Sequence, residues 1–225
     1  AAARPGPLSY PIFIWKGRMP MIKAVIFDMG NILLDFDTWG LTAAFTDCGE
    51  DAALLHREMF EGPDWLILDR GGTEEEGLAR MKERLPQRLW TAADHAMAHW
   101  DEFLTPRPEI NRLARELDGL GLPLYILSNT SHRFYSFREK IPVWPLIKGT
   151  LLSCEEHLLK PDLDIFRRLF SRFGLTPGEC FFIDDYNVNI EAARWCGMQA
   201  FHYQNNISRL CAALRQAGVP VAAEP

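Results

Sequence analysis

The stretch Ala24-Val25-Ile26-Phe27-Asp28-Met29-Gly30-Asn31 decides the fold. Its first four residues are all apolar and two are β-branched, a run too short for a helix and without polar alternation, so it reads as a strand buried on both faces. Asp28 at its end, before a glycine and an asparagine that favour a turn, puts a carboxylate at the carboxyl edge of a sheet. Outward from it, Leu122 to Leu127, Thr150 to Leu152 and Cys180 to Ile183 are comparable apolar runs bounded by turn or polar residues. Helical spacing lies between them, over Pro108 to Leu117 and over Pro161 to Phe173. The second helix is expected to carry Pro161 at its first position, Asp162 and Asp164 in its first turn and Gly174 past its end. A further helix should run from Asn187 to Cys196, stopped by Gly197. This alternation predicts an α/β fold, a Rossmann-like parallel sheet with crossover helices.

The stretch from Trp39 to Leu104 breaks the alternation. It has helical spacing, little strand character and a capping-box pattern at Thr73-Glu74-Glu75-Glu76, and so reads as an inserted α-helical cap domain. An insertion that leaves after the first strand and returns near Pro106 sits above the carboxyl ends of the strands, where such sheets bind ligands. The expected division is an extra N-terminal segment over 1–20, an α/β core over 21–37 and 105–217, a helical cap over 38–104 and a loose tail over 218–225. Met21 before Ile22-Lys23 reads as a natural start.

Composition narrows the classes. The chain has 225 residues, enough for a sizeable core without disulfides or structural metal. Its 24 Lys+Arg against 30 Asp+Glu give a net charge of -6, and no basic block supplies the electrostatics of nucleic-acid binding. No apolar run approaches a membrane span of about 18 residues, and no membrane association is expected. Five scattered cysteines without CxxC or zinc spacing fit a reducing, cytoplasmic setting. A monomer or homodimer is expected.

Each strand expected in the core ends in a polar group: Asp28, then Ser128-Asn129, then Asp184-Asp185, while Lys160 starts a helix. A hard divalent cation needs carboxylates, a phosphoryl group needs a cation with hydroxyl and amide donors, and a carboxylate can act as covalent nucleophile. Taken together the set specifies phosphoryl transfer. Alone, Asp28 is a turn or cap residue, Asp184-Asp185 a dipole cap, Ser128-Asn129 a strand-end turn and Lys160 a solvated lysine; their order decides between the readings.

Phe27-Asp28-Met29-Gly30-Asn31, Leu127-Ser128-Asn129-Thr130, Lys160-Pro161 and Phe182-Ile183-Asp184-Asp185 resemble the four ordered motifs of the haloacid dehalogenase (HAD) superfamily, over Met21 to about Tyr203. The insertion, with Trp65 and Leu68-Asp69-Arg70-Gly71, resembles the C1 cap of the subgroup containing sugar-phosphate phosphatases. The resemblance implies that Asp28 attacks phosphorus to give an aspartyl-phosphate that water hydrolyses. It also implies that Met29, Gly30, Ser128 and Asn129 line the phosphate with Lys160 neutralising its charge, and that Mg²⁺ lies between Asp28, the Gly30 carbonyl, the substrate phosphate and Asp185, with Asp184 direct or through water. Asn189 is a candidate for orienting the acidic pair.

Phosphatases of this superfamily usually carry a second aspartate two residues after the nucleophile, as general acid and base. Here that position is Gly30. A positioned acid or base is worth about 10² to 10⁴ in rate. Three explanations stand: the Asp-x-Gly-Asn form resembles active members of the sugar-phosphate subgroup; leaving groups that need little protonation, such as anomeric, aryl or acyl phosphates, are favoured; or Asp35 or Asp37 substitutes.

Among the remaining residues, His95 and His99 at i, i+4 lack a third ligand and read as cap residues, and His132 as surface. Trp39, Trp65, Trp90 and Trp100 read as cap core, with one free to stack on substrate, and Arg70 is a candidate substrate contact or a surface ion pair. The leading expectation is a Mg²⁺-dependent phosphatase of a small phosphorylated metabolite, a sugar phosphate among the candidates. A non-catalytic phosphometabolite-binding protein is the alternative, weakened by the retained Asp28 and Lys160. A 2-haloacid dehalogenase ranks last, because it needs no metal and Asp184-Asp185 argues for one.

Overall fold

The computed structural model describes residues 20–222. Met21 lies inside that range, whereas the extra segment expected before it falls outside but for Pro20. Strands β1 (Ala24–Phe27), β4 (Leu124–Ser128), β5 (Ile147–Leu152), β6 (Cys180–Asp184) and β7 (Gln199–His202) form a parallel sheet in the order β5-β4-β1-β6-β7. The central strand explains why its sequence is uniformly apolar. Val25 and Phe27 pack into one layer, Ala24 and Ile26 into the other, so neither face tolerates a polar residue. Phe27 is fully buried, and truncating such a side chain to alanine costs about 3–5 kcal/mol.

Two strands, β2 (Leu34–Phe36) and β3 (Leu104–Pro106), pair antiparallel outside this sheet, with Phe36 opposite Leu104 and Leu34 opposite Pro106. The chain passes through this ribbon on its way into and out of the helical insertion. The insertion holds α1 (Thr38–Ala44), α2 (Gly49–His56), a π-helical turn over Arg57–Glu61, α3 (Trp65–Asp69), α4 (Glu74–Arg84) and α5 (Trp90–His99). The Thr73 hydroxyl accepts from the Glu76 amide at 3.1 Å, half of the expected capping box; the Glu76 carboxylate pairs forward with Arg80 instead. Buried Leu55, Met59, Leu68, Met81 and Trp100 join the insertion to the core layer that contains Val25 and Phe27.

The core helices are α6 (Pro108–Gly119), α7 (Phe134–Phe137), α8 (Ser153–Glu156), α9 (Leu163–Phe173), α10 (Asn187–Trp195) and α11 (Ile207–Gln216). Three expectations need correction. Helix α9 starts at Leu163, not Pro161: Asp162 is its N-cap, so Lys160 and Pro161 lie in the preceding turn and Lys160 does not start a helix. Gln199–His202 forms a fifth strand that the apolar runs do not signal, because its one buried residue, Gln199, is polar. Val219 and Val221, placed in a loose tail, are buried against the core, and Arg215 donates to the carbonyl of Ala222 at 2.7 Å. No helix among the described residues is long and apolar enough to cross a membrane.

Candidate active site

Strand β1 delivers Asp28 to the carboxyl edge, with Ser128 from β4 and Asp184 from β6 on either side. A cleft of about 570 Å³ opens there, with Asp28, Ser128, Lys160 and Asp185 on its floor. The Lys160 ammonium is fully buried and lies 2.8 Å from Asp28 Oδ1 and 2.7 Å from Asp184 Oδ2. The Met29 amide donates to Asp28 Oδ1 at 2.7 Å, which leaves the other carboxylate oxygen of Asp28 for chemistry. Burial pushes the Asp28 carboxyl up to about 7, with Asp184 and Asp185 adding to the rise and Lys160 opposing it. Burial works against the charge on Lys160, yet Asp28 and Asp184 together hold its pKa above the ordinary lysine value.

Asp184 is a holder. Its Oδ1 accepts from the Tyr186 amide at 2.7 Å and from Asn189 Nδ2 at 3.0 Å, and its Oδ2 takes Lys160, so both oxygens are engaged. Asn189 thus orients the acidic pair through Asp184. Asp185 is partly exposed and accepts from Asn31 Nδ2 at 3.0 Å; burial first, then Asp184, raises its pKa. Asn31 adopts a left-handed backbone, φ 56°, which an asparagine tolerates and which aims its amide at Asp185.

Asn129 can meet the phosphate expectation through its main-chain amide alone, because its side chain is committed elsewhere. Its side chain brackets the backbone of Lys160, accepting from the amide at 2.8 Å and donating to the carbonyl at 3.0 Å, so it positions the lysine and leaves only its own amide for a phosphate. Met29 and Gly30 line the cleft, and a Cβ at Gly30 would meet nothing within 4 Å.

Carboxylate oxygens of Asp28, Asp184 and Asp185 lie within 4.8 Å of one another, the one such group of potential ligands among the described residues. Hard oxygen donors with room for water and substrate suit Mg²⁺, which keeps several non-protein ligands. The residues fit that ion, with Asp28 and Asp185 holding uncommitted oxygens and Asp184 acting through its neighbours.

The wall above the floor is mostly apolar: Phe36, Phe60, Trp65, Leu66, Trp100 and Leu104 line it, with Thr38 as a polar neighbour. Trp65 packs on Phe60 at 4.8 Å and on Trp100 at 5.5 Å between ring centroids. Asp69 descends from the same insertion into the cleft. Its neighbour Arg70, the candidate substrate contact, is exposed and outside the cleft lining. The signal for Asp69 is present as i, i+4 spacing, since Trp65 and Asp69 share one face of α3. Asp35 and Asp37 do not reach the cleft: Asp35 pairs with Arg107 at 2.9 Å and Asp37 caps α1 through the Gly40 amide at 2.7 Å. His95 and His99 pack around Phe45 in the insertion, and Trp39 and Trp90 are exposed.

A buried lysine bracketed by carboxylates, at the carboxyl edge of a parallel sheet and beneath inserted helices, defines a class of α/β enzyme. Comparison with protein-family models matches residues 22–197 to the haloacid dehalogenase-like hydrolases, and the chain belongs to that family. It is 27% identical over 202 residues to the sesquiterpene phosphatase astK of Aspergillus oryzae, covering 86% of this chain and 95% of that protein. It is 26% identical over 198 residues to the D-ribitol-5-phosphate phosphatase of Bacteroides thetaiotaomicron, covering 82% of this chain and 93% of that protein. The fold matches a HAD family enzyme of Bacteroides thetaiotaomicron, bt-2542, solved with magnesium and inorganic phosphate, at TM-score 0.65 and 22% identity over 84% of this chain and 98% of that one.

Proposed function

We propose that the chain is a Mg²⁺-dependent phosphatase that forms an aspartyl-phosphate on Asp28 and acts on a small monoester whose organic part is largely apolar. The observation that carries the reading is the contact of Lys160 with Asp28 and Asp184 beside Asp185 in one cleft. Asp28 and Asp185 would hold Mg²⁺, which would supply positive charge to offset the repulsion between an anionic ester and an anionic nucleophile. Lys160 adds a second, fixed positive charge to the phosphoryl site and keeps Asp28 in register. The buried Ser128 Oγ donates to the Asn129 carbonyl over a long 3.3 Å and would turn that proton to a phosphoryl oxygen.

The substrate part of the reading narrows the sequence expectation of a sugar phosphate. Hydroxyls buried without hydrogen-bond partners lose affinity, whereas an apolar chain gains about 25 cal/mol for each Å² removed from water. The aromatic wall formed by Phe36, Phe60, Trp65 and Trp100 favours the second kind of ligand, and similarity to a sesquiterpene phosphatase supports it.

Phosphate release from a prenyl-type monophosphate, ribitol 5-phosphate and a hexose phosphate, each with Mg²⁺ and with EDTA, tests both parts. Turnover is expected with Mg²⁺, is highest for the prenyl ester and is lost in Asp28→Asn. Activity retained in that variant overturns the nucleophile, and a preference for the polyols overturns the apolar substrate.

A further inference from the structure

We infer that Asp69 is the general acid and base of this site, a cap-borne carboxyl that takes over the work for which the position of Gly30 carries no side chain. The inference rests on the phosphatase reading. The residues lining the cleft include three acids, Asp28, Asp69 and Asp185, and no histidine or glutamate. Asp28 is the nucleophile and Asp185 faces the cation. Tyr186, a phenol that also lines the cleft, is 65% exposed. Among other acids of the insertion, Glu58 and Asp64 pair with Arg84 and Glu74 with Arg133, while Asp37 before it caps a helix amide.

Asp69 is 7% exposed, and no described residue gives it a hydrogen bond or an ion pair. A buried carboxyl with no partner among the described residues is costly, and one that lines a reaction cleft is placed to meet a substrate. Its direction is right as well. In-line displacement puts the departing oxygen on the side of phosphorus away from Asp28, and Asp69 enters the cleft from the insertion rather than from the strand ends.

Burial raises the Asp69 carboxyl to about 7, against a downward pull from Lys160, so it is held protonated and yet able to ionise near neutral pH. The charged and titratable groups around it are Lys160, Asp28 and Asp185 across the cleft, Cys154 on α8, and His157, whose ring bonds the neighbouring Arg70 carbonyl at 2.7 Å.

The step balances as follows. An Asp28 oxygen bonds to phosphorus while the bond to the ester oxygen breaks, its electron pair staying on oxygen; the Asp69 proton moves to that oxygen and an alcohol leaves. The Asp69 carboxylate then takes a proton from water as the water oxygen bonds to phosphorus. The bond to Asp28 breaks, its pair returns to the carboxylate, inorganic phosphate departs and Asp69 is protonated again.

The test compares octyl phosphate, a poor leaving group, with p-nitrophenyl phosphate, a good one, in wild type and Asp69→Asn with Mg²⁺. For octyl phosphate kcat/KM should fall about 10²- to 10⁴-fold, and for p-nitrophenyl phosphate by no more than about tenfold. A burst of p-nitrophenolate, one per enzyme, should precede a slowed steady state as the phosphorylated enzyme accumulates. The fall of wild-type kcat/KM for octyl phosphate above about pH 7 should vanish in the variant. Gly30→Asp added to Asp69→Asn places a Cβ that meets nothing within 4 Å, and it should restore octyl phosphate turnover in part. Equal losses on both esters without a burst, or no loss, would overturn the role of Asp69 alone. A wild type that turns over neither ester would overturn the phosphatase reading, and this assignment with it.

Discussion

Lys160 and Arg133 each hold two carboxylates, and the resemblance ends there. Lys160, 1% exposed, meets Asp28 and Asp184 at the base of the cleft, where water cannot screen or replace any member. Arg133, 20% exposed, reaches from the start of α7 into the insertion, pairing with Glu74 and with Asp101 at 3.0 Å and donating to the Ala98 carbonyl at 2.7 Å. The first cluster fixes reacting groups and the second fastens two parts of the molecule. Burial, more than the count of charges, separates the two jobs: an interior pair cannot lose one member cheaply, whereas a half-exposed pair exchanges its partners for water.

The strongest way to break that comparison is Lys160→Met, which leaves two interior carboxylates without their cation. We expect a loss of about 3–5 kcal/mol in urea unfolding with EDTA present, together with loss of phosphate release. A loss below about 1 kcal/mol would put Lys160 in the same class as an exposed ion pair.

Asp69 sharpens the contrast from the other side, as a buried carboxyl with no cation of its own. Its pKa is raised from 3.8 to about 7 on folding, so its stabilising contribution is complete below about pH 4 and disappears as pH rises through about 7. Asparagine does not titrate. Asp69→Asn should therefore match the wild-type unfolding free energy in urea near pH 4 and exceed it at pH 8, by on the order of 2–4 kcal/mol. A gap that widens toward acid would refute the assigned environment.

The smallest effect is expected at Arg133→Met: about 1–2 kcal/mol of stability, shrinking with added salt, and a higher KM with kcat little changed. If instead kcat falls and KM stays, the ionic fastening belongs to the chemistry and the division drawn above is wrong.

The parts of this molecule that were legible in its sequence are those set by local pattern. Ala24–Phe27 announces itself because both its faces are buried, and Asp28, Ser128 and Asp184 follow because each stands at the end of an apolar run. The ribbon of β2 and β3 was not legible, since each strand has three residues and finds its partner across the whole insertion. Neither was the engagement of Asn129 with the Lys160 backbone, a contact between distant turns that no spacing rule encodes. Asp69 lay in plain view beside Arg70. Choosing between them required knowing which side of a single helical turn faces the cleft.

That ribbon has a consequence for inheritance. Because Leu34 pairs with Pro106 and Phe36 with Leu104, the two ends of the inserted passage are neighbouring strands, about 4.8 Å apart. A passage with adjoining ends can be exchanged as one cassette without stretching its host. The cassette bounded by this ribbon carries the aromatic wall and Asp69 together, so in this chain a change of diet by cassette exchange would bring its own proton source with it.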